Sequence, residues 1–298
     1  MREVRWERMF PDELERAFAA CPLVYFAYGL CEPHGPHNAL GLDTLKAHAI
    51  ACAAAHAHGG IVAPPDYWHI HELGGYASWA ERAVGPVART WLTAVPPWVH
   101  FKAICYHIRA ADALGFRAAI LLTGHYGPNW QDLKTLLDLI QPHVGARLYG
   151  LPDFEANQPG FDGDGRSGGD HAGKVETSLL WALHPECVDP SRLPPADEAG
   201  PHFAMGANAR EANRRTGERM VADEVGWLGA KGGELLAAYA RERPQQRLRT
   251  FEEVEVLWET VVRPRFREFR TMQSDWQGRE PVPPGSSWAI NATIPDRS

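Results

Sequence analysis

Three separate segments of the chain carry histidine and carboxylate side chains at short spacing. They cover residues 32–44, 123–129 and 168–178, and their candidate ligands are Glu32, His34, Asp43, His125 and Glu176. Imidazole and carboxylate groups in combination suit Zn²⁺, Mn²⁺ or Fe²⁺. A carboxylate such as Asp43 can bridge two ions about 3.5–4 Å apart and hold a water between them. If the segments meet in space, they predict a site for two divalent metal ions.

Each of these segments follows a predicted strand. Apolar, aromatic and β-branched runs predict strands at residues 22–28, 61–63, 116–122 and 146–151, and helical spacing predicts helices at 44–58, 101–111, 130–139 and 175–183. Strands that alternate with helices favour a parallel sheet covered on both faces. In such a sheet, the loops at the carboxyl ends of the strands converge on one crevice. We therefore expect a three-layer α/β/α sandwich that gathers the ligands at this edge.

The second half of the chain contains fewer strand signals. Residues 153–170 are rich in Gly and Asp and predict a long loop, and residues 185–201 contain five prolines and predict a surface connection. Long loops in compact domains often serve function. We expect one domain over residues 1–298, with core motifs within about 20–190, a helical C-terminal appendage over about 200–270 (helices at 215–241 and 251–262) and an irregular tail over 271–298.

The composition excludes several classes of protein. With 30 Lys plus Arg against 37 Asp plus Glu, the net charge is −7, which argues against a general nucleic-acid binder. The 45% hydrophobic content excludes a disordered chain. The five cysteines are widely spaced without a CxxC pair, so we expect reduced thiols. With no signal peptide and no apolar run of about 18 residues, a cytoplasmic location without membrane contact is expected.

Each candidate ligand also has a structural interpretation when it is taken alone. Asp43, followed by Thr44 before an Ala-rich helix, is a good N-cap. Glu176 in a first helical turn would favour the macrodipole from the surface. His125 lies between two turn glycines and could simply be exposed. The metal hypothesis therefore rests on the combination of ligands in three separate loops.

In these motifs the sequence resembles the creatininase (creatinine amidohydrolase) family. The matching residues are Glu32-Pro33-His34-Gly35-Pro36-His37, Gly41-Leu42-Asp43-Thr44, Gly124-His125 and His171-Ala172-Gly173-Lys174-Val175-Glu176-Thr177-Ser178. The family motifs read approximately E-x-H-G-P-H, G-x-D-T, N-G-H-G-G-N and H-A-G-E-x-E-T-S. The resemblance covers residues 20–190. It implies a creatininase-like hydrolase with a two-metal site at Glu32, His34, Asp43, His125 and Glu176, with Asp43 as the bridge, and assembly as a homo-oligomer, commonly a hexamer.

Three departures from the family pattern bear on the substrate. Creatininase proper has a glutamate ligand soon after its second motif, where this chain has Gly127-Pro128, so Glu176 is left as the fifth ligand. A tryptophan of the creatininase pocket is replaced by Ser167, and Lys174 replaces an acidic residue. These departures predict a small-molecule substrate other than creatinine. The segment 67–72 also differs and either shapes a different pocket or is a surface loop with incidental histidines.

The mechanistic hypothesis is hydrolysis of a C–N bond (amide, cyclic amide or formamide) by a metal-bound hydroxide, because two divalent ions lower the pKa of water and polarise a carbonyl. His171 is the candidate proton donor to the leaving group. Tyr126 either hydrogen-bonds the developing oxyanion or packs against its neighbours.

Two other functions fit the same ligands. The same metals could open a keto-sugar, cyclitol or lactone ring, since the pocket walls decide the substrate. A protein that binds metal without turnover is the third possibility. A nucleotide-binding module is disfavoured because neither GxGxxG nor GxxxxGK[ST] occurs.

Overall fold

The central sheet has four parallel strands, which lie side by side in the order Ile61–Val62, Leu23–Tyr28, Ala118–Thr123 and Arg147–Pro152. The computed structural model describes residues 2–160, 170–245, 247–273 and 282–291. Its strands are β1 Leu23–Tyr28, β2 Ile61–Val62, β3 His69–Ile70, β4 Ala94–Val95, β5 Ala118–Thr123 and β6 Arg147–Pro152. The α-helices are α1 Pro11–Ala20, α2 Leu42–His58, α3 Gly75–Ala83, α4 Pro97–Leu114, α5 Asn129–Ile140, α6 Lys174–Leu183, α7 Arg214–Glu242 and α8 Phe251–Leu257.

The two central strands are buried along their whole length. Every residue of β1 and β5 is buried, and the strands pair in register from Leu23 with Ala118 to Tyr28 with Thr123. Continuous apolar strands of this kind are typical of a parallel sheet with both faces covered. The predicted strands and the sheet between helices are therefore confirmed.

Helices cover both faces of the sheet and form two hydrophobic cores. On one face, Phe26 and Leu121 pack with α4 and α5. On the other face, Tyr25 and Ile120 pack with α2, α6 and α7. Successive strand residues point to opposite faces, so each strand contributes to both cores. The result is the expected three-layer α/β/α sandwich.

The C-terminal segment, which the sequence presented as an appendage, packs into both helical layers. Met220 and Leu228 of α7 lie in the core shared with α2, whereas Val254 and Phe266 lie in the core shared with α4. The π-helix Trp258–Val262 continues α8. In the described part of the tail, Trp288 is buried against α3, and its indole N–H donates to the carbonyl of Gly85.

Two features were not expected from the sequence. Strands β3 and β4 form a short parallel pair outside the main sheet. Helix α2 begins at Leu42 with Gly41 at the N-cap and no side-chain cap, so the N-cap interpretation of Asp43 is wrong.

Among the described residues, no helix is long and apolar enough to cross a membrane.

Candidate metal centre

The carboxyl edge of the sheet positions the candidate ligands. Glu32 follows β1, His125 follows β5, and Asp43 lies in the first turn of α2. The turn approaches the strands so closely that a Cβ added at Gly124 would lie 2.1 Å from the backbone oxygen of Asp43. A Cβ at Gly29 would lie 2.6 Å from the Asp43 Cβ. Only glycine leaves room for α2 to bring Asp43 to this edge.

The first group of candidate ligands consists of Glu32, Asp43 and His125. Their nearest ligand atoms lie within 4.8 Å of one another, and all three side chains are buried. The Nδ1 atom of His125 is 2.8 Å from Oε1 of Glu32 and 3.3 Å from Oδ2 of Asp43. Its Nε2 atom is 3.0 Å from the carbonyl of Ile70. A neutral ring that donates Nε2–H to this carbonyl leaves Nδ1 free as a metal ligand.

The second group consists of His34, Asp43 and Glu176, again within 4.8 Å of one another and buried. Nε2 of His34 is 3.1 Å from Oδ1 of Asp43 and 3.8 Å from Oε2 of Glu176. The other ring nitrogen of His34 lies 3.0 Å from the carbonyl of Glu32. This contact leaves Nε2 as the free ligand atom.

Asp43 is shared by both groups and faces one with each oxygen. Among the described residues, neither oxygen accepts a hydrogen bond, and Nε2 of His34 and Oε2 of Glu32 also lack a hydrogen-bond partner. A buried carboxylate without a partner is costly, whereas coordination of a cation removes the cost. We name these five residues (Glu32, His34, Asp43, His125 and Glu176) the ligand cluster. Their donor set fits a pair of divalent cations.

The shifted pKa values of Glu32, His34 and His125 also indicate that the buried carboxylates are stabilised by positive charge. Burial would raise the pKa of Glu32, but the adjacent His125 more than offsets it and holds the pKa well below its ordinary value. Burial opposes protonation of the two histidines, yet the facing carboxylates raise the pKa of His34 to about 9 and that of His125 to about 10. In the absence of metal, protons on the two imidazoles therefore balance the carboxylates, whereas the neutral rings described above are the forms that would bind cations.

A second buried group adjoins the ligand cluster, and two of its three members, Lys46 and Asp153, were missed from the sequence. Nζ of Lys46 contacts the carbonyl of Gly124 (2.6 Å), the hydroxyl of Tyr126 (3.0 Å) and Oδ1 of Asp153 (3.2 Å), and lies 3.4 Å from Oε1 of Glu176. We name Lys46, Tyr126 and Asp153 the lysine cluster. The available signal was that Lys46 lies three residues after Asp43 and hence on the same helix face.

Both residues predicted to assist the reaction lie at this edge. The ring of His171 stacks on that of His34, with centroids 4.5 Å apart, and its Nε2 is 2.8 Å from the carbonyl of Pro33. Burial beside His34 lowers the pKa of His171 to about 4. The hydroxyl of Tyr126 instead donates to Asp153 at 2.7 Å.

The remaining motif residues have structural partners. His37 contacts the Thr177 hydroxyl and so joins the first and third motifs. Lys174 forms an exposed ion pair with Glu211. His69 and His71 of segment 67–72 are buried beside the ligand cluster, so a pure surface loop is excluded there. Ser167 lies outside the described residues.

The chain is similar to known proteins in sequence pattern and in fold. A family model described as "Creatininase: Creatinine amidohydrolase" matches residues 7–242. No curated protein matches the chain.

Several solved structures share the fold at low sequence identity. A Bacteroides fragilis NCTC 9343 protein, provisionally described as a creatinine amidohydrolase, is 20% identical, with a TM-score of 0.63 over 79% of this chain and 97% of that chain. A structure described as "Creatininase Mn" is 22% identical, with a TM-score of 0.60 over 78% and 98%. A mutant creatininase of the Zn–Zn type is 21% identical, with a TM-score of 0.59 over 78% and 98%. Another mutant creatininase is complexed with creatine.

Proposed function

Because the chain belongs to the creatininase family, we propose that it is a metal-dependent amidohydrolase that cleaves a C–N bond of a small molecule. The bond class is an amide, cyclic amide or formamide. The observation that carries the proposal is the position of Asp43, whose two buried oxygens face one histidine each and accept no hydrogen bond from the described residues.

The ligand cluster divides into two sets of three. Glu32, Asp43 and His125 would hold one divalent ion, and His34, Asp43 and Glu176 would hold the other. Bound Zn²⁺, Mn²⁺ or Fe²⁺ would lower the pKa of a water molecule and polarise the substrate carbonyl as a Lewis acid. Asp43 would bridge the two positions.

His171 is the proposed proton carrier. Its Nε2 faces the carbonyl of Pro33, so a neutral ring that donates there leaves the Nδ1 lone pair free. Nδ1 can accept a proton from the attacking water and return it to the leaving nitrogen, which keeps the proton count balanced. Stacking on His34 and an edge contact with Trp79, with centroids 4.5 Å apart, hold the ring in place.

We propose a different role for Tyr126 from the oxyanion contact that its position beside His125 in the sequence suggests. Its proton is donated to Asp153, and its oxygen lies 3.0 Å from the ammonium of Lys46. We assign Tyr126 to the orientation of the lysine cluster.

The homo-oligomeric, hexameric assembly and the cytoplasmic location expected from the sequence remain proposals. Light scattering of the purified protein tests the assembly.

The proposal predicts that metal binding and catalytic turnover both depend on Asp43. Protein reloaded with Zn²⁺, Mn²⁺ or Fe²⁺ should hydrolyse a member of an amide, cyclic amide and formamide panel, and chelator-stripped protein should not. Asp43→Asn should lose bound metal and all measurable turnover, because it removes the shared ligand. Elemental analysis and product chromatography provide the measurements.

Asp197→Asn is the matched control, since Asp197 is exposed. It should retain the metal content and turnover of the wild type. An Asp43→Asn variant with two equivalents of metal and full turnover would contradict the assignment. If only lactones or cyclitols are turned over, the amidohydrolase proposal is wrong and the enzyme belongs to the ring-opening class. If metal binds but no compound is turned over, the chain is a metal-binding protein without enzymatic activity.

A further inference from the structure

His71 lies at the end of β3, at the border of the ligand cluster. Its side chain is fully buried, with 0% relative exposure. The ring packs against Tyr76, Trp79 and Trp288, with centroid separations of 5.2, 6.1 and 6.2 Å. Contacts with three aromatic rings fix its orientation. No motif of the sequence assigns a role to this histidine.

The backbone determines which nitrogen of His71 carries the proton. The amide N–H of Glu72 donates to Nδ1 of His71 at 2.8 Å. A neutral ring that accepts at Nδ1 carries its hydrogen on Nε2. The rings of His34 and His125 differ, because a carbonyl accepts from one nitrogen and leaves the other as an acceptor. His71 therefore presents a donor to the ligand cluster, where His34 and His125 present metal-ligating lone pairs.

The atom that faces this donor belongs to Glu32. Nε2 of His71 lies 3.1 Å from Oε2 of Glu32, and within the described ranges neither atom has a hydrogen-bond partner. The other oxygen of Glu32, Oε1, lies 2.8 Å from His125. The carboxylate is thus placed between one candidate metal ligand and one hydrogen-bond donor.

We propose that His71 is a positioning residue: when a cation binds at the ligand cluster, the 3.1 Å contact between Nε2 of His71 and Oε2 of Glu32 becomes an aligned hydrogen bond that directs Oε1 toward the cation. The inference rests on the proposed function, because it requires Glu32 to be a metal ligand. Hydrogen bonds to the outer oxygen of a ligating carboxylate fix its orientation, and their loss typically weakens metal binding by about 10–100-fold.

His69 provides an internal comparison. It is also buried, two residues earlier, and its Nδ1 also accepts the next backbone amide, from Ile70 at 2.7 Å. Its Nε2, however, faces the hydroxyl of Thr123 at 3.4 Å and forms no ion pair with a carboxylate of the described residues. His69 and His71 are therefore both buried and have the same ring tautomer. They differ in the group that faces the Nε2–H donor, which is a hydroxyl for His69 and a carboxylate for His71.

The experiment measures Zn²⁺ affinity by chelator competition in the full-length protein. His71→Phe should weaken binding about 10–100-fold with unchanged stoichiometry. His71→Gln, which retains an N–H donor, should stay within a few-fold of the wild type, as should His69→Gln. Unchanged affinity in His71→Phe would overturn the proposal. Loss of one metal equivalent in both His71 variants would also overturn it, since His71 would then be a ligand.

Nitrogen NMR of ¹⁵N-histidine-labelled wild-type protein gives a second readout, for which only the conservative variant His71→Gln is needed, to assign the signal. The His71 signal, identified by its absence from His71→Gln, should show a protonated Nε2 both without metal and with Zn²⁺. Loss of that proton on metal loading would contradict the positioning role. A wild-type protein that binds no metal would refute the proposed function itself, so the two failures are distinguishable.

Discussion

The ligand cluster and the lysine cluster lie side by side at the same edge of the sheet but are neutralised in different ways. In the lysine cluster, the ammonium of Lys46 contacts the carboxylate of Asp153 directly, and Tyr126 adds a hydrogen bond. In the ligand cluster, the described residues donate no hydrogen bond to either oxygen of Asp43. The chain itself supplies the ammonium of the lysine cluster, whereas we propose that cations from solution neutralise the carboxylates of the ligand cluster.

The difference has a physical basis in the cost of buried charge. A buried carboxylate is tolerated when it is paired and hydrogen-bonded, as Asp153 is. An unpaired one takes up a proton, shares the protons of its neighbours or binds a metal. Glu176 joins the two clusters, since its Oε1 is 3.4 Å from Lys46 and its Oε2 accepts from the amide of Ala172 at 2.7 Å. The lysine cluster thus contacts a candidate ligand of the neighbouring cluster.

Breaking the lysine cluster should have the largest effect on stability. Lys46→Met leaves Asp153 buried without its counter-charge, so the free energy of unfolding should fall by about 3–5 kcal/mol. Chemical denaturation of the metal-free protein measures the change. Adding Asp153→Asn to the variant should recover part of the loss, because it removes the unpaired charge.

Lys102→Met is the matched control for Lys46→Met. Lys102 also forms an ion pair, with Glu255 at 2.6 Å, but both side chains are only partly buried. Its loss should cost about 0–1 kcal/mol. Equal losses in the two variants would show that burial of Lys46 contributes nothing, and the contrast between the clusters would fail.

The pH dependence of stability tests whether the charge of the lysine cluster reaches the neighbouring carboxyl group of Glu224. Burial, followed by the charge of Asp153, raises the pKa of Glu224 from 4.5 to about 8. Between these pH values the folded protein holds a proton that the unfolded chain has released, so the stabilising contribution is complete below pH 4.5 and is lost as the pH rises through 8. Across this window the wild type should lose about 2–5 kcal/mol relative to Glu224→Gln.

Denaturation curves recorded at several pH values check this difference. Glu218→Gln on the same helix is the control, since Glu218 is exposed and its carboxylate pairs with Arg214. Its stability should follow the pH dependence of the wild type. Parallel curves for the wild type and Glu224→Gln would exclude the raised pKa.

Much of the fold could be predicted because its signals are local. The apolar runs of β1 and β5 and the glycine that ends α2 define their elements within a few residues of sequence. The ligand positions followed from motifs in loops after strands, together with the family resemblance. The geometry brings all five predicted ligands into one cluster, and their binding of metal remains to be tested.

The parts that were missed depend on contacts between distant segments. Lys46 resembles a surface residue of an Ala-rich helix, and its burial depends on Gly124 and Asp153, which follow β5 and β6. The pairing of β3 with β4 joins residues about 25 positions apart through only two residues on each strand. Local sequence periodicity does not indicate such long-range contacts, so the role of segment 67–72 could not be decided from the sequence.

Gly124 joins the two clusters and provides the smallest and most specific perturbation. Its carbonyl accepts from Lys46 at 2.6 Å, and a Cβ added there would lie 2.1 Å from the backbone oxygen of Asp43. Gly124→Ala must therefore displace the first turn of α2, at a cost of about 1–3 kcal/mol in stability. Because Asp43 moves with that turn, Zn²⁺ affinity should also fall by about 10-fold or more.

Gly226→Ala is the control for this substitution. An added Cβ at Gly226 in α7 meets no described residue outside its own helical turn within 4 Å, so the variant should gain up to about 1 kcal/mol from helix propensity and keep its Zn²⁺ affinity. Calorimetric metal titration and denaturation of both variants separate the effects. If Gly124→Ala lost stability but kept full affinity, the docking of α2 would not be what positions Asp43, and the two clusters would be independent of each other.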